Sequence, residues 1–384
     1  IQAAQMYLGK TYINTNPGVA TFLQGSAASV RTSEVVLMQG RLLSDDSTTD
    51  FVGPSRFLGN DGAFTPSAAD DFVMKIYNGE YRYKGLGATA TSDALSRVEL
   101  LGAAIITSER VSDGGTPTLT IYYLLRRPSG VVYFDGIRTG GTVDPILGGA
   151  ATGQPKIFID SASRDRPKSA DVTPWAYVYN THYPNNIQWA LYRTDGVIAA
   201  DRVTGFYAAS WPSNTGTPIL PLPNINQALP FTHLATTTPW INSLRLTGTG
   251  TLTLQSDLLI KTGGILLSGT GAATIAGDTA TRMLFANDFD PFTGDFGDPV
   301  ELVISNNQAL DLNVAVSAFG LTKSGAGSLT LRPFAATNYG GGALNFLGGV
   351  GATAAANAAP EIHLMTPQSI AGAGEINISG VTLR

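Results

Sequence analysis

Residues 321–331 read LTKSGAGSLTL, and this string constrains the fold more than any bulk property. A looser copy, LRLTGTGTLTL, stands at 244–254, and a third, ILLSGTGAATI, at 265–275. A fourth fits around Gly372, Gly374, Ile376 and Ile378. All four satisfy one template, Gly-x-Gly-x-apolar-x-apolar. The glycines allow a tight bend at positive φ. The alternating Leu and Ile mark a strand that is apolar on one side, and the Thr and Ser between them suit the wet side. A strand that recurs behind the same turn belongs to a chain that coils on itself.

The spacing favours a coil over a sandwich. The copies starting at Leu244 and Ile265 are offset by 21 residues, the next by 56, and the fourth lies 47 further on. Offsets of roughly 20–50 residues are those of repeat architectures. An antiparallel sandwich has no reason to repeat one turn sequence. Elsewhere the apolar period is two, as at Leu302/Ile304, Leu310/Leu312 and Val314/Val316, and the best helix signal is 93–101. The expected fold is all-β, mainly a parallel, right-handed β-helix or solenoid. Coils with irregular turns are expected over 1–146 and regular coils over 241–384. Between them, 147–240 reads as an insertion or side layer. It holds all four tryptophans (Trp175, Trp189, Trp211 and Trp240), interleaved tyrosines and a proline cluster.

Composition narrows the function. Charged residues are 14% of the chain, against about 25% in ordinary soluble domains. Such a surface, polar but weakly charged, fits lattice, fibre and cell-surface proteins as well as secreted enzymes. The 24 basic and 29 acidic residues give a net charge of −5. Without a basic stripe to displace phosphate counterions, a nucleic-acid partner is not expected. Arg126-Arg127 and the basic cluster over 164–168 read as solvated turns. The absence of cysteine removes thiol catalysis and zinc-thiolate sites. No apolar run approaches the roughly 18–20 residues that span a bilayer, so no membrane span is expected. The chain opens on Ile1 rather than Met, without a signal peptide, and closes in a strand-like pattern over 375–384. The expectation is a processed subunit or a fragment, with something continuing the structure at its end.

LTKSGAGSLTL, followed by Asn338-Tyr339-Gly340-Gly341-Gly342, resembles the autotransporter-associated β-strand repeat. Leu321, Thr322, Lys323, Gly325, Gly327, Leu329 and Leu331 match the strand of that family. In the turn, Tyr339 follows Asn338 directly, where the family has a residue between. The stretches INSLRLTGTGTLTL and GGILLSGTGAATIAG resemble segments that precede this repeat in very large bacterial surface proteins. The specific likeness covers about 241–342, with a fainter one back to about Leu95. The resemblance implies an exported, cell-surface or extracellular β-helix. It implies no catalytic activity, because the repeat is a structural unit.

Two local candidates for ligand sites stand out. Asn287, Asp288, Asp290, Asp295 and Asp298 crowd within a dozen residues, broken by Gly294 and Gly297. Calcium takes six to eight oxygens, and carboxylates on glycine-rich turns supply them. The alternative is a solvated loop, since the spacing is neither that of an EF-hand nor that of Gly-Gly-x-Gly-x-Asp repeats. Calcium is the one cofactor suggested. The second candidate is aromatic: Trp175, Tyr179, Trp189, Tyr192 and Trp211 would suit pyranose stacking, or form the core that an insertion needs. For catalysis, His182, His233 and His363 lie far apart. Asp160, Asp165, Asp171, Asp195 and Asp201 offer carboxylates of the kind glycosidases pair, but no spacing selects two of them. The sequon at Asn377 has Ile378 at its centre, which reads as a core position.

The sequence therefore points to a non-catalytic extracellular structural protein of a bacterial surface, a subunit or segment of a filament. Uncapped coil ends invite strand pairing, so head-to-tail self-association is the expected partnership. Two alternatives stay open. One is an adhesin whose insertion binds a glycan or matrix ligand. The other is a β-helical polysaccharide lyase, hydrolase or tailspike-like depolymerase.

Overall fold

The computed structural model describes residues 5–24, 29–47, 55–58, 64, 72–87, 89–128, 130–142, 144–151, 153–179, 186–212, 221–234, 238–279, 281–289 and 296–331, and the strand segments 337–339, 344–347, 361–364, 370–371, 376–379 and 382–383. These residues are all-β. The single helical element among them is a 3-10 turn, Ala200–Arg202. No helix among them is long and apolar enough to cross a membrane. The chain forms two compact units: residues 1–171, 176–184 and 190–199 make one, and residues 172–175, 185–189 and 200–384 the other. The segment 147–240 is thus shared between the two.

In the first unit long strands pair in parallel with their successors. Gln5–Gln24 lies beside Ser29–Asp45, which lies beside Val73–Lys84. Val73–Lys84 then has two successors: Ala90–Leu100 beside its first half and Ala103–Arg110 beside its second. These continue to Thr116–Arg126 and Val131–Arg138, and then to Lys156–Ile159 and Ala176–Tyr179. Register keeps like with like. Leu42, Tyr81, Ile106 and Phe134 stand opposite one another in turn, all buried. The helix signal at 93–101 is overruled here. Ala90–Leu100 is a strand, because its backbone is committed to ladders on both edges. One pairing in this unit is antiparallel: residues 190–193, the end of the strand Gln188–Arg193, lie against Gly196–Ala199.

The second unit carries three parallel ladders. One runs through Leu244, Ile265, Ile304 and Lys323; a second through Leu252, Ile275, Leu312 and Leu331; a third through Leu258, Leu284 and Val316. All but Lys323 belong to one continuous apolar core. Each fully buried Leu or Ile contributes about 1.5–3 kcal/mol relative to exposure.

The repeat seen in the sequence is only partly the register of the structure. Leu244 does face Ile265, the expected 21-residue step. Beyond the turn, however, Leu252 faces Ile275, a slip of two residues. Between the copies at 265 and 321 lies another turn of the chain, Glu301–Asn306 and Leu310–Asn313, so the 56-residue step spans two rungs. Asn306-Asn307-Gln308 replaces Gly-x-Gly there. The fourth copy needs correcting. Ile376 and Ile378 face Leu344 and Phe346, which face Leu321 and Lys323. They continue the strand before the glycine turn, not the one after it.

The two turn glycines of LTKSGAGSLTL have different duties. Gly325 sits at φ +90°, where other residues are strained. A Cβ on Gly327 would come within 2.1 Å of the Gln308 carbonyl oxygen of the preceding rung. One glycine turns the chain and the other lets two rungs approach.

The antiparallel hairpin Met283–Phe289 with Phe296–Pro299 leaves the ladders between two rungs, lengthening that step. A mixture of parallel ladders with two antiparallel pairs is therefore what the all-β chain adopts among its described residues.

Candidate functional site

The aromatic candidates are divided between the units. Tyr179 and Tyr192 belong to the first, Trp175, Trp189 and Trp211 to the second. Trp189 is fully buried, and Trp175 and Tyr179 nearly so. Gly264 makes room for the Trp189 ring: a Cβ there would lie 3.0 Å from it. Tyr192 is half-buried, with the Arg166 guanidinium 4.5 Å from its ring centre and its hydroxyl accepting from the Ile159 N–H at 3.4 Å. Trp211 stacks on Phe231 at 6.0 Å and leans on His233 at 4.5 Å, and its Nε1–H donates to Gln227 Oε1 at 2.7 Å. Only Tyr192 and Trp211 of the five keep substantial exposure.

Of the acidic candidates, Asp288 and Asp298 are exposed on the two arms of the antiparallel hairpin. Asp290 and Asp295 lie outside the described residues. Among the described residues no group of three or more His, Asp or Glu is placed to hold a metal ion. Several of the central carboxylates have local tasks. Asp160 accepts from the Ala162 N–H, Asp165 from the Arg126 N–H, and Asp171 pairs with Lys168. Asp201 is exposed in the 3-10 turn. His233 is buried at the end of Asn224–His233, and burial lowers its pKa. His182 lies outside the described residues. His363 is on Glu361–Leu364, opposite Thr330.

The densest charged cluster leaves no mark in the sequence. On the first unit, Glu80 accepts from Arg41 at 2.5 Å, Arg82 at 2.7 Å and the Thr107 hydroxyl at 2.8 Å. Arg82 also donates to Glu109 at 3.1 Å. Burial alone would raise the Glu80 pKa, but Arg82 and Arg41 outweigh it and hold the carboxyl below its usual range. Arg127, exposed just past Thr116–Arg126, grips Glu99 with two bonds of 3.1 Å. Apart from Glu80 and Arg82 on one strand, the partners are far apart in sequence, and the register brings them together.

The interior of that unit holds a second polar group. Asp46 pairs with Arg56, both fully buried. Burial pushes the Asp46 carboxyl up to about 6 despite the guanidinium beside it. Asp93 accepts from Ser44 at 3.0 Å, Tyr81 at 2.9 Å and the Ala94 N–H at 2.8 Å.

Two buried basic side chains in the second unit are held differently. Lys323, in the LTKSG string itself, occupies the inward row behind Ile304, and its Nζ donates to the Gly325 carbonyl. Burial depresses its pKa to about 7. Arg245 is 6% exposed and donates to Asn226 Oδ1 at 3.0 Å, Asn186 Oδ1 at 2.9 Å, the Ser268 hydroxyl at 3.1 Å and the Ile187 carbonyl at 3.4 Å. Beside it the Tyr207 hydroxyl donates to Gln188 Oε1 at 2.8 Å. Around Arg245 the chain places neutral acceptors, whereas around Arg82 it places carboxylates.

Comparison with protein-family models, with curated proteins and with solved structures found no match for this chain.

Proposed function

We propose that the chain is a non-catalytic structural segment of a bacterial surface or extracellular assembly, its parallel ladders wound into a right-handed β-solenoid. The observation that supports this best is the register. Within residues 5–179 and again within 207–383, strand after strand pairs in parallel with a strand further along the chain. Parallel strands joined by crossovers wind right-handed almost without exception. A chain wound this way gains length with each turn, which suits a spacer or fibre. The low charge fraction and the likeness of the 321–331 string to surface-protein repeats agree with an exported location.

Assembly in this reading proceeds by strand addition. Among the described residues, Gln5–Gln24 pairs only with Ser29–Asp45, and Thr382–Leu383 only with Glu361–Leu364. Whatever extends the ladders, more of the same chain or a second copy, adds parallel strands at those edges. Negative-stain microscopy with sedimentation over a range of concentrations tests this. Rods that lengthen end to end with concentration are expected. Globular particles would overturn the solenoid, and rods of constant length would overturn self-association. Calcium on the hairpin aspartates belongs to the same proposal. Its test is melting with and without a chelator, where an unchanged midpoint removes the metal.

A further inference from the structure

Arg245 is a buried cation whose protein partners are all neutral. Among the described residues no carboxylate lies within ion-pair distance of it. The one carboxylate among the influences on it is Asp201, whose attraction is weaker than that of Tyr207 and far from offsetting burial. A buried guanidinium without a counter-ion is costly, and such groups are normally paired.

The hydrogen bonds also leave capacity. A guanidinium has five N–H donors. Nε–H, one Nη1–H and both Nη2–H groups are engaged, so among the described residues one Nη1–H has no acceptor. Asn186 and Asn226 both turn their amide oxygens to the guanidinium, and both residues are exposed. Each amide therefore keeps its N–H2 group out of those bonds, on a residue that is itself exposed. The rim around the cation offers donors, and the acceptors are already used. Gln188 reinforces this by donating its Nε2–H to Asn186 Oδ1 at 2.9 Å, which fixes the orientation of that amide.

From this arrangement we infer that Arg245, with Asn186 and Asn226, binds a carboxylate group from solution, free or carried on an acidic sugar. One positive charge and neutral amide donors match a single negative charge. Asp201 nearby disfavours a second one, which argues against phosphate. The inference does not depend on the scaffold reading: a globular particle with this site, or a rod without it, would each be recognised as such.

The test uses thermal unfolding of the full chain at constant ionic strength in sodium chloride, sodium acetate or sodium galacturonate. At ten times Kd a carboxylate is expected to raise Tm by about 2 °C over chloride. Equal responses to acetate and galacturonate assign the site to a free carboxylate, and a stronger response to galacturonate assigns it to an acidic sugar. The Asn226→Asp variant, at an exposed position, brings a carboxylate to the place of an oxygen 3.0 Å from Nη1. It is expected to melt higher than wild type in chloride and to lose the carboxylate response. Identical Tm values for wild type in all three salts would overturn the proposal. So would an Asn226→Asp variant that keeps the response or melts lower than wild type.

Discussion

Replacing Lys323 by methionine is expected to stabilise the protein, although it removes a residue of the repeat string. The side chain stands in the inward row behind Ile304 and is fully buried. Its single hydrogen bond runs to the Gly325 carbonyl. The depression of its pKa from 10.5 to about 7 corresponds to about 5 kcal/mol against the charged form. Losing the hydrogen bond returns about 1 kcal/mol, and relaxation around the ammonium absorbs more. A net gain of about 2–3 kcal/mol at pH 7 remains. The sign with pH follows from proton uptake. Between pH 7 and 10.5 the unfolded chain holds a proton on this lysine that the folded chain has released. Wild-type stability therefore rises with pH across that window and is flat below it. The advantage of Lys323→Met should shrink by roughly 2 kcal/mol between pH 7 and pH 9. Urea unfolding at both values, followed by circular dichroism, measures it. A variant less stable than wild type at pH 7, with a difference that does not move with pH, would show that the lysine is not a neutral amine in the core.

Three other outcomes are expected. Gly325→Ala puts a methyl group at φ +90°, 2.4 Å from the Asn306 carbonyl oxygen, and should cost about 3 kcal/mol or more; Gly205→Ala, at φ +76° with open space around it, should cost about 1 kcal/mol, so equal urea midpoints for the two would contradict the argument. Glu80→Gln and Asp46→Asn should alter pH dependence in opposite senses. The lowered Glu80 pKa adds stability above the unfolded carboxyl range that is lost in acid, whereas the raised Asp46 pKa adds stability in acid that is lost as pH rises through about 6; melting from pH 3 to 8 reads both. Trp189→Ala should empty the space above Gly264 and cost about 3–5 kcal/mol, measured by denaturant unfolding, and a cost under 1 kcal/mol would mean the ring is not core.

The β character of the chain was legible because period-two alternation survives wherever one side of a strand meets the core. Leu329/Leu331 and Leu310/Leu312 announce themselves this way. The turn with Asn306-Asn307-Gln308 does not match the glycine template, and it is tied by a side chain: Asn306 Nδ2–H reaches the Gln308 and Ser328 carbonyls. The strand 90–100 was misleading, since Asp93 and Ser96 suggest a helix until Ser44 and Tyr81 are seen to claim the aspartate. The charged cluster at Glu80 and the donor-lined Arg245 were not legible at all. Each is assembled across neighbouring rungs, and single residues such as Arg41 or Asn226 carry no mark of their partners. Trp175, Trp189 and Tyr179 were visible as large aromatics, but nothing in their order told buried rings from open ones.

The two-residue slip between Leu244/Ile265 and Leu252/Ile275 says how such a chain tolerates changes of length. Adding or losing one residue ahead of Leu252 would turn Leu252 and Leu254 toward water and Thr251 and Thr253 toward the core. Adding or losing two leaves every side chain on its own side and only reshapes a corner. Length variation among chains built on this plan should therefore come in pairs at corners, or as whole excursions like the hairpin after Met283, and sequence likeness between rungs should fade long before their stacking does.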